Sequence, residues 1–579
     1  MSQPLNKVFP ILDWGRQYNA ATFSQDFVAA IIVSIMLIPQ SLAYASLAGL
    51  PPQYGLYASI LPLIVYAVFG SSRTLAVGPV AIVSLMTAAA VGTIAEPGSA
   101  EYIQAAIVLA FLSSLILILM GLFKLGFIAN FLSHPVVIGF ISASGIIITA
   151  SQIKHLIGVE ASGHTLVDII PSLLATLSGV NIATSIVGFS SLLFLFFVRY
   201  RLATVLGSLG FKPSTVKMLT RSGPVFAVIL CIVIVAAMEL DQAGVKVLGD
   251  VPSQLPSIGL PSFDLDIWLQ LFGSAVLISL IGFVESISVA KTFAARRRQS
   301  INPNQELIGL GTANLSAGIS SGFPVTGGLA RSAVNYDAGA QTPAAGAFTA
   351  VGIALATLYL TPYLYYLPQA VLAATIIVAV LSLIDIKGMR RVWRYSKSDF
   401  SAMLVTLIAT LIFGVEVGVV AGVILSLVLL IYNTSSPHFA IVGQVPGTHH
   451  FRNIERHDVK TFDQIVTIRI DESLYFANSR FLEDTIYKTV NAQPDLKHLI
   501  VMCTAVYHID SSALETLEAI NHRLDELGIT LHLSEVKGPV MDQLGKTRFI
   551  NQLSGNIYLE QYQAIQELVP LTDGERYAS

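Results

Sequence analysis

The chain has 579 residues, of which 54% are hydrophobic and only 12% are charged, whereas soluble domains usually contain about 25% charged residues. Together with a mean hydropathy of +0.70, this composition argues against a soluble enzyme, because so few charges do not cover the surface of a chain this long. The net charge of −3 argues against nucleic acid as a partner, since no basic excess is available to bind phosphates.

Charged residues are unevenly distributed along the chain. Residues 1–434 contain 38 of them and residues 435–579 contain 31, so the second segment has more than twice the charge density of the first. We therefore predict a cytoplasmic segment over residues 1–26, a transmembrane domain over residues 27–434, a soluble domain over residues 435–570 and a tail over residues 571–579. The apolar run that begins at Phe27 is too long for a cleavable signal peptide.

Long apolar runs fill the predicted transmembrane domain. A helix needs about 20 apolar residues to cross about 30 Å of hydrocarbon, and fewer where it is broken. The sequence predicts a polytopic α-helical membrane protein in the lipid bilayer, with fourteen spans at residues 27–48, 55–70, 78–93, 102–122, 128–152, 182–198, 223–239, 268–290, 306–321, 326–341, 343–361, 367–384, 399–415 and 416–433.

The loops between these spans differ in charge. Basic residues cluster in residues 199–221, 291–298 and 387–397, and acidic residues in residues 96–101 and 239–266. Fourteen spans with the N-terminus inside place all three basic segments on the cytoplasmic side, as the positive-inside rule requires. We therefore expect a multi-pass protein of a bacterial inner (plasma) membrane, with a cytoplasmic C-terminal domain.

The third and tenth predicted spans begin with glycine and proline. Residues 76–81 read AVGPVA and residues 322–328 read GFPVTGG. A helix start within hydrocarbon exposes backbone N–H groups and the positive end of the helix dipole, which is tolerated where it lines a cavity or binds a ligand. Each of these two spans is the third in a set of seven. Because seven is odd, the second set enters the membrane from the opposite side and is inverted relative to the first. Two such starts face to face predict an anion site; the alternative is that the glycines only permit close helix packing.

Two of the ionisable residues inside predicted spans are candidates for function, since each costs about 2.5–3.5 kcal/mol on insertion scales. Arg331 follows the glycine-rich start of the tenth span and adds a full positive charge to the predicted anion site. Glu285 lies deep in the eighth span, where a desolvated carboxyl group is a candidate proton-coupling residue. The alternative for both is a structural Glu–Arg pair that stabilises the core.

The first span contains polar residues in the middle of an apolar run. Gln40 follows Pro39, and Tyr44 lies one helical turn further on the same face. Proline frees backbone groups in a helix, and a glutamine side chain can bind either those groups or a substrate oxygen. Both interpretations, substrate contact and local repair of the kink, remain open.

Several motifs resemble the signature of the sulfate permease (SulP) anion transporter family. They lie at residues 38–45 (IPQSLAYA), 49–57 (GLPPQYGLY), 304–307 (NQEL), 311–314 (GTAN) and 323–335 (FPVTGGLARSAVN). The resemblance implies a seven-plus-seven inverted repeat with a core domain and a gate domain, and an anion held between the third and tenth spans and beside the first. The family's substrate-binding positions match Gln40, Tyr44, Val80, Ala81, Gly328, Leu329, Ala330 and Arg331.

One matching position departs from the family. Many members have serine just before the arginine, whereas this chain has Ala330, so one hydroxyl donor is missing and the choice of substrate is open. The family's eighth-span acidic position matches Glu285, where related members place a proton-coupling glutamate or a sodium-coordinating aspartate.

The segment after residue 435 has the pattern of a small α/β domain. Apolar β-rich runs at residues 465–470, 499–502 and 529–533 alternate with helical patterns near residues 479–491, 511–527 and 539–552, which predicts a mixed sheet covered by helices. Residues 509–513 (IDSSA) resemble the Asp-Ser motif of STAS domains. Asp510 or Ser511 is expected to cap the following helix, and Ser512 matches the phosphorylation site of related antagonist proteins. A docking or dimerisation role for this domain is the alternative to regulation by phosphate.

These observations predict a secondary transporter rather than an enzyme. We expect uptake of a small inorganic anion, sulfate above others, coupled to protons by an elevator-like movement that the resemblance implies. Bicarbonate or dicarboxylate transport, sodium coupling, anion exchange and an anion-responsive sensor are the alternatives. No cofactor is expected, and ATP is not the expected energy source because the chain has no complete Gly-x-x-x-x-Gly-Lys-Ser/Thr phosphate-binding loop. No metal is expected either, because His449, His450 and His457 lack a ligand set and Cys231 and Cys503 lie far apart. The resemblance implies a homodimer, and a cytoplasmic partner at the STAS domain is possible.

Overall fold

The computed structural model describes residues 9–130, 133–212, 216, 219–220 and 222–569. The predicted tail over residues 571–579 and two charged residues used for topology, Lys217 and Arg221, lie outside the described residues. The chain forms two compact units that divide between Ser426 and Leu427. Both cysteines, Cys231 and Cys503, are buried and free, in keeping with their expected place in the core.

The first unit consists of helices and two very short strands. A four-residue turn, Ile11–Trp14, precedes the main elements. In chain order these are α1 (Ala20–Leu47), α2 (Gln53–Tyr57), α3 (Leu61–Phe69), β1 (Val77–Gly78), α4 (Ala81–Val91), α5 (Ala100–Leu122), α6 (His134–Ile157), α7 (Leu166–Ala175), α8 (Ile182–Ser208), α9 (Gly223–Ala237), α10 (Leu265–Arg296), α11 (Pro303–Ile319), β2 (Thr326–Gly327), α12 (Leu329–Asp337), α13 (Ala344–Tyr359), α14 (Gln369–Val380), α15 (Ile386–Tyr395), α16 (Lys397–Phe413) and α17 (Val415–Ser435).

Each of the fourteen predicted spans overlaps one of these helices or a pair of them. Among the described residues, seven helical segments are long and apolar enough to cross a membrane, and several shorter apolar helices accompany them. The fold is therefore that of a helical membrane protein, while the count of fourteen spans stays a prediction. Two helices were not anticipated. Helix α7 lies between the fifth and sixth predicted spans and is capped by Thr165. Helix α15 lies in a segment that was interpreted as a basic loop.

The helices of the first unit pack as two groups. In one group, α11 packs against α3 and α5, α10 packs against α5, and α13 packs against α1. In the other, α6 packs against α14 and α16, and α8 packs against α14. These groups correspond to the core and gate that the resemblance implies, and the functional site described below lies where they meet.

The second unit is built on a six-stranded mixed sheet. The strands are β3 (Phe439–Gln444), β4 (Phe451–Asn453), β5 (Ile465–Ile470), β6 (His498–Met502), β7 (Thr530–Ser534) and β8 (Ile557–Tyr558), in the order β4-β3-β5-β6-β7-β8. Strands β5 to β8 are parallel, and β3 is antiparallel to both neighbours. The helices are α18 (Ser479–Ala492), α19 (Ser511–Glu526), α20 (Gly538–Leu544), α21 (Phe549–Gln552) and α22 (Gln561–Leu568).

Burial on both sides of the sheet explains why its central strands are continuously apolar. In β6, Leu499 and Val501 pack in the core under α18 to α21, whereas Ile500 and Met502 pack in a second cluster under α22. The three predicted strands and the mixed sheet are confirmed. Strands β4 and β8 were missed because they have only three and two residues, whereas β3, with six residues, was missed without such a reason.

A pair of histidines lies between β6 and β7. The backbone N–H of Asn556 donates to Nδ1 of the buried His532 at 3.0 Å, and the Nε2 of His532 lies 3.2 Å from Nδ1 of His498. Because Nδ1 accepts a hydrogen bond, the neutral ring carries its proton on Nε2 and donates it to His498. Burial, with a smaller effect of His498, lowers the pKa of His532 to about 4.

This histidine makes the stability of the second unit depend on pH. The unfolded chain, with a histidine pKa near 6.5, binds more protons than the folded chain between about pH 6.5 and 4, so stability falls as the pH is lowered through that window. We expect hydrogen exchange at β6 and β7 of the full chain, corrected for intrinsic rates, to be faster at pH 5 than at pH 7. His532→Gln should flatten this dependence, whereas the exposed control His508→Gln should not. Equal protection at both pH values in the unsubstituted protein would contradict the prediction.

Candidate functional site

Two short strands join the starts of two broken helices. Strands β1 and β2 pair antiparallel, with Val77 opposite Gly327 and Gly78 opposite Thr326. The N–H of Gly328 also donates to the carbonyl of Ala76 at 3.1 Å. Because α4 begins at Ala81 and α12 at Leu329, this pairing brings the two helix starts to the same place.

Both helix starts offer unoccupied backbone donors. Val80 and Gly328 are the N-cap residues of α4 and α12, and within the described part of the chain neither helix has a side-chain cap. The first N–H groups of a helix have no intrahelical acceptor, and the helix dipole adds partial positive charge there. Two such ends, joined through their strands, form an arrangement suited to an anion.

Side chains of neighbouring helices hold β2 in place. The Ser286 and Thr326 hydroxyls lie 2.6 Å apart, and the hydroxyl of Ser286 accepts from the N–H of Gly327 at 2.9 Å. Thr326 in turn donates to the carbonyl of Gly282 at 2.7 Å. On the other side, the Asn314 side chain exchanges two 2.9 Å hydrogen bonds with the backbone of Val325. This strand is therefore attached to both α10 and α11.

A buried carboxylate holds the segment before β1. Glu306, on α11, is fully buried. Tyr66 donates to its Oε2 at 2.8 Å, and the N–H and hydroxyl of Ser71 and the N–H of Ser72 donate to its Oε1 at 2.9, 2.6 and 2.7 Å. Four donors satisfy a charge that would otherwise be costly to bury. The glutamate was noticed in the sequence only as part of a motif, and no periodicity or spacing indicated this structural role.

A cavity of about 350 Å³ lies beside the two helix starts. The first helix group contributes α1, α4, α10 and α12, and the second contributes α8, α9 and α14. All the residues predicted to bind substrate line it together with the predicted coupling residue: Gln40, Tyr44, Val80, Ala81, Glu285, Gly328, Leu329, Ala330 and Arg331. The structure thus brings together residues from four separate segments of the sequence.

Arg331 fits against two residues that have no side chain. A Cβ atom at Gly78 would lie 2.6 Å from its Nη1, and one at Gly328 would lie 3.0 Å from its Nε and Nη2. Arg331 itself is buried, and within the described part of the chain neither Nη atom has a hydrogen-bond partner. The glycines of both helix starts therefore make room for a guanidinium group, in addition to shaping the strands.

Other polar atoms near the cavity also lack partners. Oε1 of Gln40 and Oε2 of Glu285 are buried and make no hydrogen bond to any described residue. A native structure pairs most of its buried polar atoms, and a cluster of exceptions needs an explanation. The predicted structural Glu–Arg alternative would join Glu285 to Arg331 by hydrogen bonds, yet their unpartnered atoms show no such bonding among the described residues. A ligand that accepts from Arg331 would supply the interactions that its guanidinium lacks, whereas the oxygens of Gln40 and Glu285 need a donor or a cation.

Arg199 is a cavity residue that sequence reasoning missed. It was assigned to a cytoplasmic loop because it begins a basic segment, but α8 continues to Ser208 through a π-helical stretch at Val198–Leu202. Arg199 lines the cavity, and its Nη1 donates to the carbonyl of Val378 on α14 at 2.7 Å. The loop assignment was therefore wrong for this residue. No pattern in the sequence distinguished a helix extension from a basic loop.

The predicted regulatory residue lies in the second unit. Asp510 caps α19, accepting from the N–H of Ala513 at 2.9 Å, and its other oxygen accepts from the N–H of Phe476 at 2.9 Å. The capping prediction is thereby confirmed for Asp510. Ser512 is exposed in the first turn of α19, where a phosphate would meet the positive end of the helix dipole.

Together, the apolar helices, two broken helices and polar cavity define an integral multi-pass membrane protein of the kind that transports solutes. The model of the sulfate permease family matches residues 23–406, and that of the STAS domain matches residues 456–564. The chain belongs to the sulfate permease family.

Curated relatives match over nearly the whole chain. Sulfate transporter 4.1, chloroplastic, of Arabidopsis thaliana is 36% identical over 568 residues, which cover 94% of this chain and 81% of that protein. High affinity sulfate transporter 2 of Stylosanthes hamata is 31% identical over 590 residues, covering 98% of this chain and 87% of that protein.

Solved structures share the fold. Murine Solute Carrier 26 family member A9, an anion transporter solved in the inward-facing state, superposes with a TM-score of 0.88 at 22% identity, covering 98% of this chain and 95% of that one. The transmembrane domain of the cyanobacterium bicarbonate transporter BicA has a TM-score of 0.59 at 21% identity, covering 70% of this chain and 98% of that one. The transporter fold with a C-terminal STAS domain is thus established for this chain.

The hydrogen bonds of Glu306 can be tested by an isosteric change. Glu306→Gln keeps the size of the side chain but replaces an accepting oxygen with an NH₂ group, and each buried donor left unsatisfied costs about 1–3 kcal/mol. We expect the detergent-solubilised full chain to lose thermal stability, measured as the temperature at which its monodisperse peak disappears in size-exclusion chromatography. The exposed control Glu96→Gln should retain the original temperature. A Glu306→Gln protein as stable as the control would show that these hydrogen bonds contribute little.

Proposed function

We propose that the protein is a secondary active importer of a small inorganic anion, sulfate above others. The single observation that carries the proposal is the unpartnered guanidinium of Arg331 beside two uncapped helix starts in one cavity. Fixed positive charge and backbone donors in a site shielded from water bind an anion without reorganisation. The printed names of the curated relatives, which are sulfate transporters, support sulfate among the possible anions.

In this proposal the anion binds between the two helix starts. The backbone N–H groups at Ala81 and Leu329 and the guanidinium of Arg331 donate to its oxygens, and Gln40 and Tyr44 approach from α1. Ala330 offers no hydroxyl group, so more of the binding relies on backbone donors and on Arg331. Arg199 supplies a second guanidinium on the opposite wall, which favours a doubly charged anion over a singly charged one.

Transport requires the site to face each side of the membrane in turn. The strands, α4, α10 and α12 belong to one helix group, and α8, α9 and α14 form the opposite wall. Because Ser286, Thr326 and Asn314 tie β2 to its own group, we propose that this group carries the anion past the other in an elevator-like movement.

The coupling ion is proposed to bind at Glu285. Its carboxyl group lines the same cavity as Arg331, and its Oε2 has no partner among the described residues. A proton on Glu285 removes a negative charge from the neighbourhood of the anion, so the two ligands favour each other's binding. Sodium binding by the carboxylate is the alternative, and it is an outcome of the experiment below.

Orientation and assembly remain parts of the proposal. The basic segments favour an orientation with the N-terminus and the STAS domain in the cytoplasm. We propose a bacterial plasma membrane as the location, whereas the relatives named above are plant proteins. A homodimer and a cytoplasmic partner at the STAS domain complete the proposal, with Ser512 as the position at which phosphorylation would change that contact.

Uptake into proteoliposomes tests the function. Labelled sulfate, bicarbonate and succinate would be offered separately under an inward proton gradient, an inward sodium gradient, or an internal load of unlabelled anion. We expect sulfate to accumulate under the proton gradient. Accumulation of another anion, dependence on sodium or uptake only by exchange would each replace the corresponding part of the proposal. Binding without movement of any anion under every condition would identify a sensor instead.

Arg331 is expected to dominate the affinity for the anion. A charge-assisted hydrogen bond is worth about 1.5–3 kcal/mol, so Arg331→Gln should weaken sulfate binding by about 10- to 100-fold, as measured by scintillation proximity in detergent. The exposed Arg201→Gln should bind normally. The thermal stability of the anion-free Arg331→Gln protein should not fall, because the guanidinium has no partner to lose; unaltered affinity together with a large loss of stability would indicate a structural role.

Glu285 is expected to couple transport to the proton gradient. Glu285→Gln resembles a permanently protonated carboxyl group, so the variant should bind sulfate and exchange it but should not accumulate it when a proton gradient is imposed. Tracer exchange and gradient-driven uptake are measured in the same proteoliposomes. The exposed Glu101→Gln should behave as the unsubstituted protein. Gradient-driven accumulation that survives in Glu285→Gln would exclude the proposed role.

A further inference from the structure

Helix α15 has a regular basic face. Its sequence over Ile386–Tyr395 is IKGMRRVWRY, and Asp385 caps it by accepting from the N–H of Gly388 at 2.8 Å. The spacing of three, four and seven residues places four exposed cations on one side of the helix: Lys387, Arg390, Arg391 and Arg394.

The opposite face of α15 is apolar and aromatic. Met389, Val392 and Trp393 lie on it, and Trp393 remains 48% exposed. The Trp393 ring packs edge-on against Phe400 of α16 at 4.5 Å, and Nζ of Lys397 lies 3.2 Å above the ring. Tyr395, at the end of the helix, is 90% exposed. Tryptophan and tyrosine are enriched where hydrocarbon meets headgroups.

The chain on either side fixes where this helix lies. It connects α14 with α16, two of the predicted spans, through Leu381–Leu383 at one end and Ser396 at the other. A ten-residue helix between two consecutive spans lies at the membrane boundary, and an amphipathic one lies along it. Its length is about 15 Å, enough to extend over more than one lipid headgroup.

Within the described part of the chain, the four cations have no partners. Among the described residues, no hydrogen bond or salt bridge of their side chains is found, although the same chain pairs Lys246 with Glu160 and Arg469 with Asp471 elsewhere. Together with Tyr395 they line an open concave space of about 410 Å³. Four unpaired cations around one concavity repel each other, and an anionic ligand removes that repulsion.

We propose that α15 is a binding site for the headgroups of anionic phospholipids. Charge selects a phosphate-bearing ligand, and the apolar and aromatic face beside the cations selects one whose other end is hydrocarbon. Free phosphate matches the charge of the basic face but not the apolar face beside it. An acidic protein surface also matches only the charge, because it offers no apolar environment to the exposed part of Trp393 and to Tyr395.

Lipid binding at this helix acts on the wall of the cavity. Ser382 and Leu383, which line the cavity, precede α15 by only a few residues, and Val378 on α14 accepts the hydrogen bond of Arg199. A headgroup held by α15 therefore fixes the end of α14 while the opposite helix group moves. This consequence for transport rests on the proposed function, whereas the lipid site itself does not.

Trp393 permits a direct test in the full chain. The chain has three tryptophans, so Trp14→Phe with Trp268→Phe leaves Trp393 as the sole reporter. This protein would be placed in nanodiscs of phosphatidylcholine with 20% phosphatidylglycerol, on the order of the anionic content of a charged leaflet, with brominated acyl chains on one lipid or the other. We expect brominated phosphatidylglycerol to quench Trp393 at least twofold more than an equal fraction of brominated phosphatidylcholine.

Matched variants separate the basic face from general charge. Replacing Lys387, Arg390, Arg391 and Arg394 by Gln should abolish the preference for phosphatidylglycerol, whereas Arg480→Gln with Lys488→Gln, two exposed cations of the second unit, should leave it intact. Native mass spectrometry of the protein with all tryptophans retained should show fewer bound phosphatidylglycerol molecules in the fourfold variant. The number of bound lipids in this protein tests the proposal even if the tryptophan replacements impair folding.

Three results would overturn the proposal. Trp393 quenched by neither lipid would place α15 away from the bilayer and indicate a protein partner. An equal preference in the fourfold variant would show that its cations do not select the lipid. Displacement of phosphatidylglycerol by inorganic phosphate would assign the face to soluble anions. All three readouts are independent of transport, so a protein that carries no sulfate can still confirm the lipid site.

Discussion

The antiparallel pairing of β1 with β2 is the contact on which the rest of the site depends. Each strand has only two residues, and alone neither would be stable in a helical membrane protein. Together they satisfy backbone groups that hydrocarbon would leave unpaired and hold the ends of α4 and α12 against each other. The surrounding side chains then act on this pair: Glu306 fixes the chain before β1, and Ser286 and Asn314 fix the chain around β2.

The cavity combines strong internal bonding with unsatisfied atoms. Glu306 is fully bonded, whereas the guanidinium of Arg331 has no partner among the described residues. Both groups are ionisable and buried, and both are costly to place in a membrane. Glu306 uses its hydrogen bonds within the protein, as a structural residue does. The hydrogen-bond donors of Arg331 remain available for a ligand, as the proposed function requires.

Sequence patterns predicted the parts of this structure that follow from local chemistry. Glycine and proline at the helix starts indicated the broken helices, because both residues disfavour a continuous helix. Glu285 and Arg331 were conspicuous because charge within an apolar run is rare. The same reasoning failed at Arg199 and α15, where charge was interpreted as a loop. At α15 the helical period of charged and apolar residues was present, but a count of charges does not detect it.

Other features depended on contacts distant in sequence. Glu306 bonds to residues more than 230 positions away, and the two strands that pair at the site are separated by the third to the ninth predicted spans. Gly78 and Gly328 accommodate one guanidinium from opposite halves of the chain. A single sequence records each of these residues, but it does not record which pairs of them meet.

The strand pairing also has a thermodynamic consequence. Backbone hydrogen bonds make the two helix starts a single rigid body, so the donors that surround a ligand are the same whichever side of the membrane the cavity faces. In the proposed elevator-like movement, the site keeps its geometry and so has nearly equal intrinsic affinity for its ligand on both sides. The direction of transport would then be set by the gradient of the proposed coupling ion, and transport would be reversible.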